Sequence, residues 1–259
     1  MSEAVIAVRD LRKRFGAVVA ADAISVSLAP GETVGMIGAN GAGKTTFVNM
    51  VTGYLKPDAG EIVFRGRNIT ALSPRAVTRL GIRRSFQVAQ LFPNLTVLDN
   101  MLAAIASAEG RALPLFSPLR TPARIETAHA FLRRFNLGDR AAALTTELPQ
   151  GQRKLLDIGL AMVGRSNVLL LDEPTSGISA EEKFPMMDLI MEAVGGNGAT
   201  VLFVEHDMEI VERYASRVLA FYEGRIIADG APDAVLADAD VRRHVVGTEL
   251  HRRGNRMAR

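Results

Sequence analysis

The chain has 259 residues, of which 48% are hydrophobic, and its formal net charge at pH 7 is +3. This length suits one large α/β domain or two smaller units with a buried core, and so small a charge does not indicate a nucleic-acid partner. The chain has no cysteine, which excludes disulfides and thiolate metal sites, and no apolar run approaches the ~20 residues needed to cross a bilayer.

The front of the chain is predicted to be rich in strands. Alternation in AVIAVRDL and in ISVSLAPGETVGMIGANG indicates strands separated by a turn at Pro30 and Gly31, and GEIVFRGRNIT adds a strand that ends in a turn at Gly66. The first residues are acidic at Glu3 and lack the pattern of a signal peptide. We therefore expect the chain to remain in the cytoplasm.

The stretch GMIGANGAGKTTFVNMVTG carries the strongest signal, because it fits the P-loop pattern between an apolar strand and a helix. Glycines let the backbone curl so that N–H groups face phosphates. Lys44 places a positive charge near the β and γ phosphates, and Thr45 offers its hydroxyl to Mg²⁺. The loop alone predicts binding of a nucleoside triphosphate, as kinases, GTPases and motor ATPases also show, and the predicted binding residues are Gly38, Ala39, Asn40, Gly41, Ala42, Gly43, Lys44, Thr45 and Thr46.

After Gln87 the pattern changes from alternation to helical spacing. LTVLDNMLAAIASA and RIETAHAFLRRFNL carry apolar residues at intervals of three and four. Between them LPLFSPLRTP, with three prolines, predicts an irregular connection. We expect a helical insert from about Val88 to Asp157.

The stretch ELPQGQRKLLDIGLAM looks like a phosphate-binding turn that feeds a helix, because Gly151 precedes apolar residues at helical spacing, namely Leu155, Ile158 and Met162. The turn has no lysine-serine pair, and Pro149 offers neither an N–H group nor a hydroxyl. The sequence thus raises the question of whose phosphate this turn contacts.

Two short apolar runs, NVLLLDEP and ATVLFVEHD, are typical of parallel strands buried on both faces. Asp172 ends the first strand and is suited to hold Mg²⁺ through water, while Glu173 is suited to polarise an attacking water. Such an acidic pair can also merely cap the next turn. His206 follows the second strand and could stabilise charge that develops at a γ-phosphate, although a single histidine at a surface is common.

The segments GANGAGKTT, LPQGQ, VLLLDEP and VEHD, in this order and spacing, resemble the ATP-binding subunit of an ABC transporter. The resemblance covers nearly the whole chain and implies an α/β P-loop NTPase core, the ABC ATPase fold, with an antiparallel β subdomain and a helical subdomain. It implies a single domain over residues 1–259, with the core at about 1–87 and 158–259 and the helical signature subdomain at about 88–157.

The resemblance also implies roles that spacing alone does not show. It assigns Phe15 to stacking on adenine, Gln87 to linking Mg²⁺ with the transport subunits, Glu173 to the catalytic base and His206 to the switch histidine. In this family the signature motif closes over ATP that the opposing subunit holds. The turn LPQGQ resembles that motif, which predicts contacts in trans from Leu148, Gln150, Gly151 and Gln152.

Two departures from the family pattern concern hydrolysis and communication between the paired sites. Pro149 and Gln150 stand where the signature usually has a serine and its first glycine, so a hydroxyl donor to the γ-phosphate is missing unless the Gln150 amide replaces it. Ser179 stands where many relatives place an aspartate.

Three further segments narrow the resemblance to branched-chain amino-acid importers, and the longer, Liv G-type ATPase subunit fits best. They are RRSFQVAQLFPNLTVLDNM, LFSPLRTP and GRIIADGAPDAVLADADVRRHVVG. The implied partners are a second ATPase subunit, identical or different, two permease subunits and, outside, a solute-binding protein. The chain would lie peripherally on the cytoplasmic face of the inner membrane.

Other functions stay open at this stage. Related importers carry urea, short amides or aromatic acids. One alternative is a soluble ABC-type ATPase that remodels ribosomes or DNA, which would usually carry two cassettes or a long coiled coil. Another is a phosphotransferase, which would need an acceptor pocket.

Overall fold

The computed structural model describes residues 4–85, 91–109, 118–164, 166–195 and 198–247. Its strands are β1 (Ile6–Phe15), β2 (Val18–Leu28), β3 (Thr33–Gly38), β4 (Ala59–Phe64), β5 (Arg67–Asn68), β6 (Ile82–Ser85), β7 (Val168–Asp172), β8 (Thr200–Val204), β9 (Arg217–Tyr222) and β10 (Arg225–Gly230). Its α-helices are α1 (Lys44–Val51), α2 (Pro74–Arg79), α3 (Val97–Ala108), α4 (Pro122–Arg134), α5 (Gln150–Met162), α6 (Ala180–Gly195), α7 (Met208–Tyr214), α8 (Pro232–Ala237) and α9 (Ala239–Val241). Short 3-10 helices cover Gly138–Arg140 and Thr145–Glu147, and a π-helical turn covers Arg242–Val246.

The chain divides into two compact units, one formed by residues up to Leu80 and from Thr200 onward, the other by Gly81–Ala199. The first unit contains an antiparallel sheet with the strand order β2-β1-β4-β5. Ile6 at the start of β1 lies opposite Leu28 of β2 and Phe64 of β4. The sheet buries Ile6 and Val8 of β1 in alternation, as the sequence predicts, and then Leu11, after a register shift in the pairing with β2.

The first unit also contains parallel strands, and these position the candidate site. Strand β3 lies between β8 and β9 and is parallel to both, while β10 pairs antiparallel with β9. Every residue of β8 and all of β3 after Thr33 are buried, which agrees with their continuous apolar runs. Ligands of open α/β sheets bind beyond the carboxyl ends of such strands, and here β3 ends at Gly38 and β8 ends just before His206.

In its described residues the second unit combines the parallel strands β6 and β7 with the α-helices α3 to α6. Helix α3 packs against α4 and α5. Side chains cap two of these helices, because the Thr96 hydroxyl accepts the N–H of Asp99 and the Thr121 hydroxyl accepts that of Arg124. The two helices predicted from three- and four-residue spacing are thus confirmed as α3 and α4.

Helix α5 continues through Asp157 to Met162, so the subdomain boundary expected near residue 157 falls inside a helix. The predicted subdomain limits also differ from the two compact units, and they stay a prediction. Within the described segments, none of the helices has both the length and the apolar character that crossing a membrane requires.

Candidate functional site

In the first unit the phosphate loop, residues 38–46, connects β3 with α1. Lys44 is only 6% exposed, and its Nζ donates hydrogen bonds to the carbonyl oxygens of Gly38 at 2.5 Å and Ala39 at 3.2 Å. Gly43 precedes α1 and provides no side-chain cap. A helix start without a side-chain cap is suited to an anion, because the helix dipole favours negative charge there.

Gly43 of the phosphate loop cannot carry a side chain. Its φ is 104°, and a Cβ atom there would lie 2.5 Å from the carbonyl oxygen of Ala20. The turn between β9 and β10 supports the same loop, since Gly224 donates its N–H to the carbonyl of Ala42 at 3.0 Å and accepts the N–H of Asp22 at 2.9 Å. Sequence analysis missed Gly224, although a glycine between two strand-like runs is a turn signal.

Phe15 ends β1 and is 51% exposed. The ammonium of Lys13 lies 5.7 Å from the ring centroid and also pairs with Asp58 at 2.7 Å. The hydrogen bond from Lys13, together with the N–H of Arg14, lowers the pKa of the Asp58 carboxyl. An exposed ring in a fixed position is suited to stacking on a flat ligand.

His206 lies in the turn between β8 and α7 and is half-buried. Its backbone N–H donates to the carboxylate of the buried Glu205 at 3.2 Å. Asp207 caps α7 by accepting the N–H of Glu209 at 3.3 Å. Both contacts fix the backbone of the turn. The Cα atom that carries the imidazole of His206 therefore has a defined position.

In the second unit Asp172 ends the buried strand β7 and Glu173 follows it, as predicted. Asp172 forms an ion pair with Arg84 of β6, in which Nη2 of the arginine lies 2.5 Å from Oδ2 of the aspartate. Glu173 has φ 49°, a left-handed conformation that non-glycine residues rarely adopt. Such strain is concentrated at functional sites, which favours a chemical role for Glu173 over the simple capping role.

The signature turn, residues 148–152, leads into α5, and Pro149 occupies the N-cap position without a side-chain cap. The amide of Gln150 lies against Gly177, because a Cβ atom at Gly177 would fall 2.2 Å from its Nε2. Within the described residues, the buried Oε1 of Gln152 has no hydrogen-bond partner. The buried Leu148 anchors the turn.

The buried face of α5 differs in part from the prediction. Ile158 and Met162 are buried as expected, but Leu155 is only half-buried, and Lys154 and Asp157 are buried instead. The Nζ of Lys154 lies 3.4 Å from the backbone carbonyl of Asp172. Sequence analysis missed Lys154. The signal for it is a charged residue on the face of a helix that packs inward.

Gln87, which the sequence assigns to Mg²⁺ and the transport subunits, lies outside the described residues. The other predicted site residues are all described. Phe15, the phosphate loop and His206 belong to the first unit, whereas Asp172, Glu173 and the signature turn belong to the second.

Comparison with known proteins identifies the family. Residues 21–176, more than half of the chain, match the ABC transporter family. The chain belongs to the ABC transporter family. It is an ATPase of the kind that energises transport, and the predicted fold class and activity are thereby confirmed.

Relatives of this ABC ATPase match it over nearly their full length. It is 34% identical over 255 residues to the high-affinity branched-chain amino acid transport ATP-binding protein LivG of Salmonella typhimurium. The match covers 95% of this chain and 99% of the relative. It is 32% identical to BraF of Pseudomonas aeruginosa, a protein described in the same words, over 95% of this chain and 99% of the relative.

Solved structures agree with the fold of this ABC ATPase. The ADP conformation of MJ1267, an ATP-binding cassette of an ABC transporter, has a TM-score of 0.83 and 29% identity and covers 93% of this chain and 98% of that one. The cbiO1 protein of Clostridium perfringens, described as part of the ABC transporter complex cbiONQ, has a TM-score of 0.78 and 29% identity over both full chains.

The residues present fit a nucleotide and its metal ion. The phosphate loop combines a buried ammonium, an uncapped helix start and a backbone position that excludes any Cβ atom. The hydroxyl of Thr45 and the carboxylate of Asp172 are hard oxygen donors, and Mg²⁺ is usually bound by one or two such groups together with substrate phosphates. The ABC ATPase domain binds nucleotide, and the phosphate loop has the chemistry that such a ligand requires.

Proposed function

We propose that this ABC ATPase powers the import of branched-chain amino acids. The observation that carries this proposal is the match to LivG, because its 34% identity extends over 95% of this chain and 99% of the relative. BraF, another branched-chain amino acid transport protein, matches to the same extent. The alternative is that the importer carries urea, short amides or aromatic acids.

The chain works in a complex at the cytoplasmic face of the inner membrane. It pairs head to tail with a second ATPase subunit, and the pair drives two permease subunits that receive solute from an extracytoplasmic binding protein. The description of the relative cbiO1 as part of a transporter complex supports this arrangement. Closure of the pair around ATP and its reopening after hydrolysis supply the motion that the permeases use.

Within its own chain the first unit binds ATP. Phe15 stacks on the adenine, and Gly38, Ala39, Asn40, Gly41, Ala42, Gly43, Lys44, Thr45 and Thr46 enclose the phosphates. Lys44 already holds its ammonium inside the loop by bonding to Gly38 and Ala39. Its charge is therefore in place before the phosphates arrive, which lowers the ordering cost of binding.

The chemistry of hydrolysis is assigned to residues at the strand ends. When bound, Mg²⁺ neutralises negative charge on the β and γ phosphates, and Thr45, Asp172 and Gln87 are the residues that would hold it. Glu173 takes the proton of the attacking water as general base. Its left-handed backbone conformation sets the direction in which the side chain leaves the main chain. His206 donates a hydrogen bond to the charge that develops during transfer.

The signature turn contacts the ATP held by the opposing subunit. Leu148 anchors the turn, while Gln150, Gly151 and Gln152 lie on the first helical turn of α5. The turn has no lysine, and Pro149 offers no N–H group, so the assignment rests on its resemblance to the signature motif, which closes over the partner's ATP. The phosphate that this turn contacts is therefore that of the ATP bound by the opposing ATPase subunit.

The test is transport by a reconstituted complex. The chain would be placed in proteoliposomes with its permeases, partner ATPase and solute-binding protein, identified by co-purification, and uptake of labelled leucine, isoleucine and valine would be measured with internal ATP. We expect uptake that these three solutes compete for and that urea, short amides and aromatic acids do not inhibit. Uptake of one of those other solutes instead, or co-purification with ribosomes and no permease, would contradict the proposal.

A further inference from the structure

Asp172, the carboxylate at the end of β7, has a cationic partner that the proposed mechanism does not use. The Nη2 of Arg84 lies 2.5 Å from Oδ2 of Asp172, and the two side chains are only 8% and 6% exposed. No hydrogen bond to Oδ1 of Asp172 is found within the described residues. The ion pair thus engages one carboxylate oxygen and is almost fully removed from water.

Strand pairing explains why this arginine meets this aspartate. Strands β6 and β7 are parallel, and Arg84 lies in register with Leu170. Leu170 and Asp172 share one face of β7 because side chains alternate along a strand. The side chain of Arg84 extends along that face to the strand end, where Asp172 lies.

Stability alone is a poor reason for such a pair. Taking two charges out of water costs several kcal/mol per ion, and well-packed apolar side chains often replace a buried ion pair without loss. Lys154 adds a second buried ammonium, 3.4 Å from the backbone carbonyl of the same aspartate. Arg84 thus contacts the carboxylate that the proposed function assigns to Mg²⁺, and Lys154 contacts the backbone of the same residue.

We propose that Arg84 is an internal counter-ion of Asp172 that weakens binding of the metal ion. In the nucleotide-free protein its guanidinium neutralises the buried carboxylate and holds its orientation. When Mg²⁺ binds with ATP, the two cations share one carboxylate, so the attraction for the metal is lower than that of an unpaired aspartate. Arg84 is thus a positioning residue that keeps the metal exchangeable between catalytic cycles. The inference rests on the proposed role of Asp172 as a metal ligand.

The experiment measures metal dependence without turnover. The full chain carrying Glu173→Gln, so that ATP is not consumed, is held at saturating ATP while free Mg²⁺ is titrated, and the rise in the thermal unfolding midpoint is followed. The variants are Arg84→Met, Arg84→Gln, which is neutral but still donates a hydrogen bond, and Arg84→Lys, which keeps the charge. Arg83→Met is the matched control, because it removes the neighbouring arginine of β6, whose guanidinium lies instead beside Gly164.

We expect Arg84→Met and Arg84→Gln to lower the half-saturating Mg²⁺ concentration at least about fivefold, because a nearby positive charge no longer offsets the carboxylate. Arg84→Lys and Arg83→Met should stay near the parent. Without metal, Arg84→Met should lower the unfolding midpoint more than it does with Mg²⁺ and ATP, since an unpaired buried carboxylate is costly. If Arg84→Met does not fold, Arg84→Gln decides the question.

Two results would overturn the inference. A half-saturating Mg²⁺ concentration that is unchanged or raised in both neutral variants would mean that the pair only joins β6 to β7 or assists the metal. A parent whose ATP-bound form does not respond to Mg²⁺ at all would overturn the metal role of Asp172 and this inference with it. The two failures are distinguishable, because only in the second is the parent itself insensitive to the metal.

Discussion

The ammonium of Lys44 donates a 2.5 Å hydrogen bond to the carbonyl of Gly38, at the opposite end of the phosphate loop. The contact closes the loop around a positive charge that is almost fully buried. A buried ammonium is costly unless polar groups surround it, and here loop carbonyls fulfil that role. The loop carbonyls therefore hold the ammonium in a defined position within the loop.

Lys44→Ala removes that cation, and we expect it to abolish productive ATP binding and transport, because the phosphate charge loses the nearest positive group. Isothermal titration with ATP and uptake by the reconstituted complex would measure both effects. Lys56→Ala, which replaces an exposed lysine bonded to the carbonyl of Leu72, serves as the control and should behave as the parent. Parental uptake by Lys44→Ala would refute the assignment.

Glu173→Gln should keep ATP bound and reduce turnover by orders of magnitude, because the amide preserves the shape of the side chain but cannot accept the proton of water. The measurement is single-turnover hydrolysis with labelled ATP, beside ATP affinity. Glu181→Gln, at an exposed glutamate in the first turn of α6, is the matched control. Hydrolysis at the parental rate in Glu173→Gln would show that another group is the base.

Local patterns predicted most of the elements that carry the site. The continuous apolar runs of β7 and β8 indicated buried strands, and the glycines of the phosphate loop indicated a cradle, because both properties follow from a few adjacent residues. Side-chain partners between strands do not follow in this way. Arg84 contacts Asp172 across 88 residues of sequence, and only the strand pairing brings the two together.

The inner face of α5 shows the same limit in a helix. Spacing predicts a buried Leu155, yet Lys154 is buried and approaches the end of β7. Periodicity assigns apolar residues to the core, whereas a polar group near a binding site is retained for its charge. The left-handed backbone of Glu173 was likewise hidden, since nothing in a Leu-Asp-Glu-Pro run requires a positive φ.

Phe15→Ala should weaken ATP binding modestly, in line with the ~1–3 kcal/mol that is lost when an aromatic side chain no longer stacks on a base. Phe15→Tyr should bind as the parent does, because its ring offers the same face. Titration with ATP measures both variants. Equal affinity of the alanine variant would mean that a different residue contacts the adenine.

Acid should destabilise the chain through Asp58 and Asp22. Lys13 lowers the pKa of the Asp58 carboxyl, and the hydrogen bond from Arg225 is the main cause that lowers that of Asp22. A carboxyl whose folded pKa is lowered stabilises the fold above its unfolded pKa of 3.8 and loses that effect as the pH falls through the folded value. Urea midpoints measured from pH 5 downward should therefore fall less steeply in Asp22→Asn than in the parent, and an equal slope would contradict this reading.

Gly151→Asp should separate ATP binding from closure of the pair. Gly151 lies on the first turn of α5, and a Cβ atom there would sit 3.5 Å from Cδ1 of Ile178, an ordinary contact. The variant should therefore fold and bind ATP through its own phosphate loop, which Gly151 does not belong to. In the pair, however, the new carboxylate would face the γ-phosphate of the opposing ATP, and like charges at close range repel strongly. The closed dimer should fail to form.

Gly151→Ala is the matched control for this last prediction, because it adds the same Cβ atom without the charge and should still dimerise. Monomer affinity for ATP and ATP-induced dimerisation by light scattering would be compared in a Glu173→Gln background, with the natural partner ATPase if the chain does not pair with itself. Loss of dimerisation in Gly151→Asp alone, at parental monomer affinity, places the signature turn against the partner's nucleotide. A monomer affinity loss beyond about tenfold, worth ~1.4 kcal/mol, would mean that the turn acts within its own chain.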